Sequence, residues 1–276
     1  MPHIVVDQVR TRERDPSYAY WNVRPAQSLV VFVHGWGGHC TDTWKPAAGY
    51  IAAHDGAGAG HDLLFYAYDS RNQPAGVSAA QLARYLLDFL ADPTAAINAS
   101  AKFGLRRQAT AYQSVIFLCH SLGAVVTRQA LLDLAARSNA PPAWLNRVRL
   151  ALFAPAHKGA LATEVGNTLL SELLGAPGRA IGAALRLKWQ SLLDLEQGSS
   201  FLATLEQDSR AYLQHNPGAG CARAAVVAWA SNDLIVVRQN FALDVPAEVV
   251  NGTDHVSICK PAQREHDAYA LMTALL

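Results

Sequence analysis

The stretch "SVIFLCHSLGAVV", residues 114–126, is the most informative part of this chain because it predicts a strand, a sharp turn and a helix in direct succession. The first six residues are almost all apolar, which is typical of a strand buried in a parallel sheet. Ser121 lies at the turn, immediately before the predicted helix. A serine on such a turn is exposed at the edge of the sheet, and this residue is therefore a candidate nucleophile.

The residues on either side of Ser121 depart in one place from the usual Gly-x-Ser-x-Gly pattern of such turns. Gly123 occupies the last position, but Cys119 stands where the first glycine is usual. Small residues are needed there because the strand and the helix nearly touch. Cysteine is small and apolar, so we expect Cys119 to fit with modest crowding. A nucleophilic role for Cys119 is disfavoured, since its side chain should pack inward at the end of the strand.

The rest of the chain alternates short apolar runs with longer helical patterns. Strands are predicted in residues 28–35, 62–69, 147–155 and 223–230, and a further short one ends in "AEVV", residues 247–250. Helices are predicted over residues 77–92 and 261–276, and Ser78 and Gln81 have capping-box spacing at the start of the first. This alternation predicts one α/β domain over residues 1–276, with a mostly parallel central sheet and helices on both faces.

Residues 160 to about 220 interrupt the alternation, because they contain no convincing strand. Their pattern predicts two or three amphipathic helices, with breaks at residues 175–178 and 197–200. One apolar face comprises Leu161, Val165, Leu169, Leu170, Leu173 and Leu174, and another comprises Ile181, Leu185, Trp189, Leu192 and Leu195. We interpret this insertion either as additional packing or as a helical lid or cap over an apolar pocket.

The glycine-rich stretch "VFVHGWGGHC", residues 31–40, follows a predicted strand and is typical of one half of an oxyanion hole. The backbone N–H of Trp36 is the best donor candidate, paired with the N–H of Leu122. Gly35 and Gly37 would let the backbone approach a substrate. His34 is interpreted as a structural residue of this loop.

A serine hydroxyl needs a base to take its proton, and His255 is the best candidate among the ten histidines because it follows the last predicted strand. The acid that orients this histidine should lie between Ser121 and His255 in sequence. Asp233 follows a strand and would lie at the carboxyl edge of the sheet. Asp244 and Asp254 are the weaker alternatives.

Two further histidines are candidates for binding substrate together with Gly35 and Gly37. His120 adjoins Ser121, and His157 lies in a loop that would border the site. The His and Cys spacings suggest no metal site, and we expect no cofactor.

Composition excludes several other kinds of function. The net charge is +1 with no basic or acidic block, which argues against nucleic acid as a partner and against an electrostatic membrane anchor. We find no run long enough to span a bilayer and no apolar stretch of signal-peptide length at the N-terminus. We therefore expect a cytoplasmic protein, although a mature secreted chain would look the same. Oligomeric state is not indicated.

Taken together, these motifs resemble those of the α/β-hydrolase superfamily. Within it, the chain is most similar to lipase-like serine esterases related to the GPI inositol-deacylase and to the SERAC-type phospholipid-remodelling proteins. The resemblance is carried by "VFVHGWGG" (31–38), "TW" (43–44), "FYAYDS" (65–70), "HSLGAVVTRQAL" (120–131), "FAPAHKGA" (153–160) and "DHVSICKP" (254–261). Ala154 and Ala160 replace a threonine and a serine that are usual in that group.

This resemblance implies a serine carboxylester hydrolase that acts on a small-molecule or lipid ester with an apolar acyl chain. Ser121 would be the nucleophile, Asp233 the acid and His255 the base, with Trp36 and Leu122 supplying the oxyanion hole. A thioesterase, an amidase or an acyltransferase would use the same residues, because the fold does not fix the substrate. A non-catalytic protein of the same fold is a further alternative, disfavoured by the complete set of residues.

Overall fold

The structure is a computed structural model that describes residues 3–9, 17–22, 25–100, 112–136, 141–160 and 190–276. Its strands are β1 (His3–Val9), β2 (Ser17–Asn22), β3 (Ser28–Val33), β4 (Asp62–Tyr66), β5 (Ser114–His120), β6 (Val148–Phe153), β7 (Val226–Ala230) and β8 (Glu248–Val250). Its helices within the described residues are α1 (Ala47–Ala52), α2 (Ala75–Ala91), α3 (Pro93–Ser100), α4 (Leu122–Ala136), α5 (Gln190–Asp194), α6 (Ser200–His215) and α7 (Asp267–Thr273). Short 3-10 turns occur at Asp42–Trp44, Ala143–Arg147 and Ser257–Cys259.

The eight strands of the described residues form a single sheet in the order β1-β2-β4-β3-β5-β6-β7-β8. From β4 to β8 every neighbouring pair is parallel. The mostly parallel sheet predicted from the apolar runs is therefore confirmed. β1 and β2 were not predicted, and they extend the sheet as antiparallel strands beside β4.

The centre of the sheet is buried on both faces. Consecutive residues of β3, from Leu29 to Val33, have no exposed surface, and the same holds for β5 from Val115 to Cys119. Side chains of consecutive strand residues point to opposite faces, so burial of the whole run requires cover on both sides. The turn with Ser121, the glycine-rich loop after β3 and the loop with Asp233 all follow the carboxyl ends of parallel strands, and this brings them to one edge of the sheet.

The start of α2 differs from the prediction. The helix begins at Ala75, three residues before Ser78, and Ser78 is buried within the first turn. The N–H of Ala75 donates a hydrogen bond to Asp194 Oδ2 at 2.7 Å. A carboxylate that is distant in sequence therefore satisfies this helix end, and the capping-box prediction for Ser78 and Gln81 is wrong.

The described part of the predicted insertion contains α5 and α6, and the predicted break at residues 197–200 separates them. Leu192 and Leu195 are buried, as their place on an apolar face suggested. The other predicted apolar positions, residues 161–189, lie outside the described residues.

The first turn of α4, directly after Ser121, lies close to the backbone at the end of β3. A Cβ atom on Gly123 would lie 2.4 Å from the carbonyl oxygen of Val33 and 2.5 Å from that of His34. Neither backbone oxygen can move freely, because Val33 ends a central strand of the sheet and the His34 carbonyl accepts a hydrogen bond from the Tyr68 hydroxyl. Glycine is therefore required at position 123, because no larger side chain fits there.

We predict that Gly123→Ala destabilises the protein by roughly 1–3 kcal/mol or more, the usual cost of overpacking a rigid site. The free energy of unfolding would be measured by chemical denaturation. Gly49→Ala in α1 is the matched control, since a Cβ there meets no atom within 4 Å. The helix propensity of alanine should leave that variant as stable as the wild type or more so. Equal stability of the two variants would contradict the close-packing argument.

Candidate active site

Ser121 is fixed on the turn between β5 and α4 in a left-handed backbone conformation, with a φ of 51°. This region is unfavourable for residues other than glycine, and the surrounding contacts must stabilise it. The N–H of Ser121 donates to the Phe153 carbonyl at 3.0 Å. Its carbonyl accepts hydrogen bonds from Ala124 at 3.1 Å and from Ala156 at 3.3 Å. The backbone of Ser121 is therefore tied to both α4 and the segment after β6.

The side chain of Ser121 lies in a continuous series of hydrogen bonds with His255 and Asp233. Ser121 Oγ is 3.0 Å from His255 Nε2, and His255 Nδ1 is 2.8 Å from Asp233 Oδ2. All three residues are buried. Because a carboxylate only accepts, the proton of a neutral His255 lies on Nδ1, which leaves Nε2 to accept the proton of the serine hydroxyl.

Asp233 is held by its own backbone surroundings as well as by His255. Its Oδ1 accepts hydrogen bonds from the N–H groups of Ile235 at 2.8 Å and Val236 at 3.2 Å. Burial raises the pKa of Asp233, but the hydrogen bond from His255 and those from the backbone outweigh burial and leave this pKa below its ordinary value. The ionised carboxylate is thus the stable form beside the imidazole.

The loops that carry Asp233 and His255 are joined to each other. The N–H of Asn232 donates to the Thr253 carbonyl at 2.9 Å, and the N–H of Gly252 donates to Ser231 Oγ at 3.0 Å. These bonds link the loop after β7 with the loop after β8. The distance between the carboxylate and the imidazole is therefore set by backbone contacts on adjacent strands.

The two alternative acids are engaged elsewhere. Asp244 accepts a hydrogen bond from Arg128 Nη2 at 2.6 Å and another from the N–H of Ala224 at 2.7 Å. Asp254 is exposed and caps its own turn, accepting from the N–H groups of Val256 and Ser257. Among the three candidates, only Asp233 is hydrogen-bonded to the imidazole of His255 in the described residues.

The glycine-rich loop lies directly against the turn that carries Ser121. A Cβ on Gly35 would be 2.9 Å from Ser121 Cβ, and Gly37 has a φ of 67°. Trp36 stands between these two glycines. Leu122 is the first residue of α4, where backbone N–H groups have no partner within the helix. The structure thus brings the loop that contains Trp36 close to the N-terminus of α4.

His34 is buried within the glycine-rich loop, where we interpreted it as structural. Its Nδ1 donates to the Gly35 carbonyl at 2.8 Å, and its own carbonyl accepts from the Tyr68 hydroxyl at 2.8 Å. The ring also stacks on Tyr68, with 4.5 Å between centroids. Burial lowers the pKa of His34 to about 4, so the ring is neutral near pH 7.

Cys119 and His120 flank the serine on its strand side. The Cys119 thiol is buried beside the Thr127 hydroxyl at 3.3 Å, and burial raises its pKa to about 12. A thiol with this pKa is a poor nucleophile. His120 Nε2 donates to the His255 carbonyl at 2.8 Å, and burial lowers the pKa of His120 to about 3.

A cavity of about 270 Å³ opens over Ser121. Its described lining is Gly35, Trp36, Gly37, Gly38, His39, Asp42, Thr43, His120, Ser121, Ala160, Leu195, Ile235, His255, Val256 and Lys260. The apolar residues come from five separate segments and are Trp36, Ala160, Leu195 of the predicted insertion, Ile235 and Val256. Three of the four residues predicted to border substrate, Gly35, Gly37 and His120, line this cavity.

His157 does not line this cavity, contrary to the prediction that it binds substrate. It is buried, stacks on Phe241 with 4.4 Å between ring centroids, and accepts a hydrogen bond from Arg128 Nε at 3.2 Å. Arg128 has no exposed surface and also pairs with Asp244. Sequence reasoning missed this buried cluster, because an arginine on a predicted helix is ordinarily assigned to the surface.

The comparisons with known proteins agree on the fold. The sequence matches the Alpha/beta hydrolase family over residues 30–268, which confirms the predicted α/β-hydrolase fold. Phospholipase PlaB from Legionella pneumophila is similar in structure, with a TM-score of 0.60, 16% identity and coverage of 90% of this chain. This chain spans 59% of the length of that PlaB chain. Among curated proteins, no sequence matches significantly.

Two esterases have similar structures over nearly the whole chain. The Pyrobaculum calidifontis esterase has a TM-score of 0.57 and 17% identity, with 99% of this chain and 84% of that chain covered. Esterase B from Lactobacillus rhamnosis has a TM-score of 0.58 and 12% identity, with the same coverage. In the part of the chain that the structure describes, no helix combines the length and hydrophobicity that a membrane crossing requires.

We predict that stability falls as the pH decreases from about 6.5 to about 4, because His34 and His120 stay neutral in the folded state and become protonated in the unfolded state. The unfolded state binds more protons in this window, so the free energy of unfolding rises with pH there. Each histidine contributes a slope of up to about 1.4 kcal/mol per pH unit. Denaturation at a series of pH values would measure it.

The His34→Asn variant should lose the slope of one histidine, since asparagine does not titrate while its amide can still donate to the Gly35 carbonyl. His54→Asn is the control, because His54 is exposed. A slope that is unchanged in His34→Asn would show that His34 is already charged in the folded protein.

Proposed function

Since this chain belongs to the alpha/beta hydrolase family, we propose that it is a serine carboxylester hydrolase that cleaves esters with an apolar acyl chain. The observation that carries the proposal is the hydrogen-bonded series Ser121–His255–Asp233 at the floor of the cavity. A neutral imidazole with its free nitrogen toward a serine hydroxyl is the arrangement that general-base catalysis of acyl transfer requires.

In the first half of the reaction, Ser121 Oγ attacks the ester carbonyl while His255 Nε2 takes the hydroxyl proton. Asp233 stabilises the imidazolium that forms, without itself accepting the proton. The carbonyl oxygen becomes an oxyanion, which the N–H groups of Trp36 and Leu122 stabilise. His255 then gives its proton to the departing alcohol, and an acyl-enzyme remains on Ser121.

In the second half, water replaces the alcohol. His255 takes a proton from the water, and the resulting hydroxide attacks the acyl carbonyl through a second oxyanion at the same two N–H groups. Collapse of this intermediate returns the proton to Ser121 Oγ and releases the carboxylic acid. No metal ion takes part in this sequence.

The preference for an apolar acyl chain is supported by the wall of the cavity. Leu195, Ile235 and Val256 line it together with Trp36. Such a surface favours burial of methylene groups, at about 0.8 kcal/mol for each one removed from water. Leu195 belongs to the insertion, and we propose that this segment caps the acyl pocket.

We further propose that, within the family, the chain is related to the lipase-like group of the GPI inositol-deacylase and SERAC-type proteins. The support is the set of motifs quoted above. Ala160, which stands where that group usually has serine, lines the cavity, so this departure changes the surface that meets the substrate.

We predict that Ser121→Ala abolishes hydrolysis of a p-nitrophenyl ester series from acetyl to palmitoyl. The loss in kcat should be at least about 10³-fold, because the oxyanion hole and binding alone retain only a small part of the acceleration. The chain length with the highest kcat/KM in the wild type would give the depth of the acyl pocket. The unfolding temperature of the variant checks that it is folded.

An equal rate for Ser121→Ala and the wild type would place the chemistry elsewhere. A folded wild type that hydrolyses none of these esters would contradict the carboxylester proposal. Labelling of Ser121 by a fluorophosphonate would then show whether the serine is activated for another acyl transfer.

We predict that Asp233→Asn lowers kcat by about 10⁴-fold at neutral pH, because an amide stabilises the wrong tautomer of His255 and cannot stabilise its charged form. Asp254→Asn is the matched control on the neighbouring loop and should retain nearly full kcat. Steady-state kinetics of both variants would measure the difference. A larger loss of kcat in Asp254→Asn than in Asp233→Asn would show that Asp233 is not the acid.

A further inference from the structure

The glycine-rich loop that carries the oxyanion donor is fastened from outside by side chains that the proposed reaction does not use. Trp36 Nε1 donates a hydrogen bond to Ser191 Oγ at 3.0 Å. Ser191 is on α5 and has no exposed surface. The side chain of Trp36 is therefore attached to the insertion, 155 residues further along the sequence.

Ser191 in turn contacts the loop after β4. Its hydroxyl donates to the Ser70 carbonyl at 2.9 Å, while its oxygen accepts from Trp36. The hydroxyl of Ser70 accepts a hydrogen bond from the N–H of Gly37 at 2.9 Å. Ser70 and Ser191 thus form a pair, here called the serine bridge, that binds the Trp36 side chain and the Gly37 backbone together.

Arg71 adds to the same contact region. Its Nη2 donates to the Gly37 carbonyl at 3.4 Å, and its guanidinium carbon lies 5.8 Å from the centre of the Trp36 ring. Both polar groups of the Gly37 backbone are consequently occupied by residues 70 and 71. The far end of the bridge is also fixed, because Asp194 on α5 accepts from the N–H of Ala75 at the start of α2.

A loop with three glycines around Trp36 has many accessible backbone conformations, and few of them point the Trp36 N–H at the oxyanion. Donors to an oxyanion are effective only when they are oriented before the charge develops. The loop has its own turn hydrogen bond, from the N–H of Gly38 to the Gly35 carbonyl at 3.1 Å, and the serine bridge adds contacts to Trp36 and to the residue after it. The bridge therefore has the geometry needed to hold the donor.

We propose that Ser70 and Ser191 are positioning residues for the oxyanion hole, so that helix α5 of the insertion takes part in its assembly. This inference rests on the proposed function, because it assumes that Ser121 reacts through an oxyanion next to Trp36. Ser191 acts through Trp36 and touches no reacting atom.

The test compares Ser191→Ala with the wild type in two reactions of Ser121, p-nitrophenyl ester hydrolysis and labelling by a fluorophosphonate. We expect kcat and the labelling rate to fall together by about tenfold, less than the loss of a whole oxyanion donor. KM should change less than twofold, because the acyl wall at Leu195 is retained. Both assays are run well below the unfolding temperature of every variant.

Ser199→Ala is the matched control from the same segment. Ser199 caps α6, accepting from the N–H of Leu202 at 3.3 Å and donating to the Asp194 carbonyl at 2.6 Å. Loss of such a cap lowers the unfolding temperature. It should leave kcat and the labelling rate unchanged, since Ser199 is not hydrogen-bonded to the glycine-rich loop. An equal loss of rate in both variants would mean that Ser191 has only a structural role, and it would overturn the proposal.

A double-mutant cycle with Trp36→Phe tests the bond itself. This change removes the indole N–H but keeps the backbone donor. Because both single variants break the same hydrogen bond, the double variant should be about tenfold slower than the wild type and not hundredfold. Independent, multiplying losses would contradict the serine bridge, as would wild-type rates in Ser191→Ala.

The two proposals fail in different ways. If the wild type is labelled by the fluorophosphonate but hydrolyses no p-nitrophenyl ester, carboxylester hydrolysis is wrong and the labelling rates still decide the role of Ser191. If Ser121 in the folded wild type is not labelled at all, both proposals are wrong.

Discussion

The close contact between the first turn of α4 and the end of β3 is the constraint on which the active-site geometry depends. Gly123 lies against the backbone oxygens of Val33, the last residue of β3, and of His34, which follows it, and there is no room for a side chain. In the turn that precedes this contact Ser121 has a left-handed conformation, and its backbone is hydrogen-bonded to Phe153 and Ala156. The same approach brings the glycine-rich loop, which continues β3, next to the serine. One packing contact thus places the candidate nucleophile and both candidate donors.

Burial determines which groups around Ser121 carry charge. His34 and His120 lose their water contacts, and burial favours their neutral forms. Asp233 is also buried, but it receives hydrogen bonds from His255 and from two backbone N–H groups, and these favour its ionised form. The ionised carboxylate of Asp233 therefore lies beside His255, whereas the rings of His34 and His120 are neutral. In the proposed reaction, a positive charge on His255 would be stabilised by Asp233 and not opposed by His120.

The sequence allowed prediction of those features that depend on local patterns. The apolar runs of β3 and β5 predicted buried parallel strands, and the glycines after β3 and after Ser121 predicted turns at the same edge of the sheet. What could not be predicted depends on contacts between distant segments. The start of α2 is set by Asp194, more than a hundred residues away, so the local capping signal at Ser78 was misleading. Likewise, His157 lies outside the cavity and contacts Arg128 and Phe241. The three residues are far apart in sequence, so no local pattern predicts this cluster.

In the proposed function, the insertion would combine two roles that are usually considered separately. Leu195 contributes to the wall of the cavity, whereas Ser191, one turn earlier, is hydrogen-bonded to the side chain of Trp36. Because both residues belong to one short segment, a change that moves α5 to admit a different acyl chain would also displace the group that fastens Trp36. Acyl-chain selection and oxyanion stabilisation would then vary together, so that specificity appears in kcat as well as in KM. A pocket built from an independent loop would not couple these two properties.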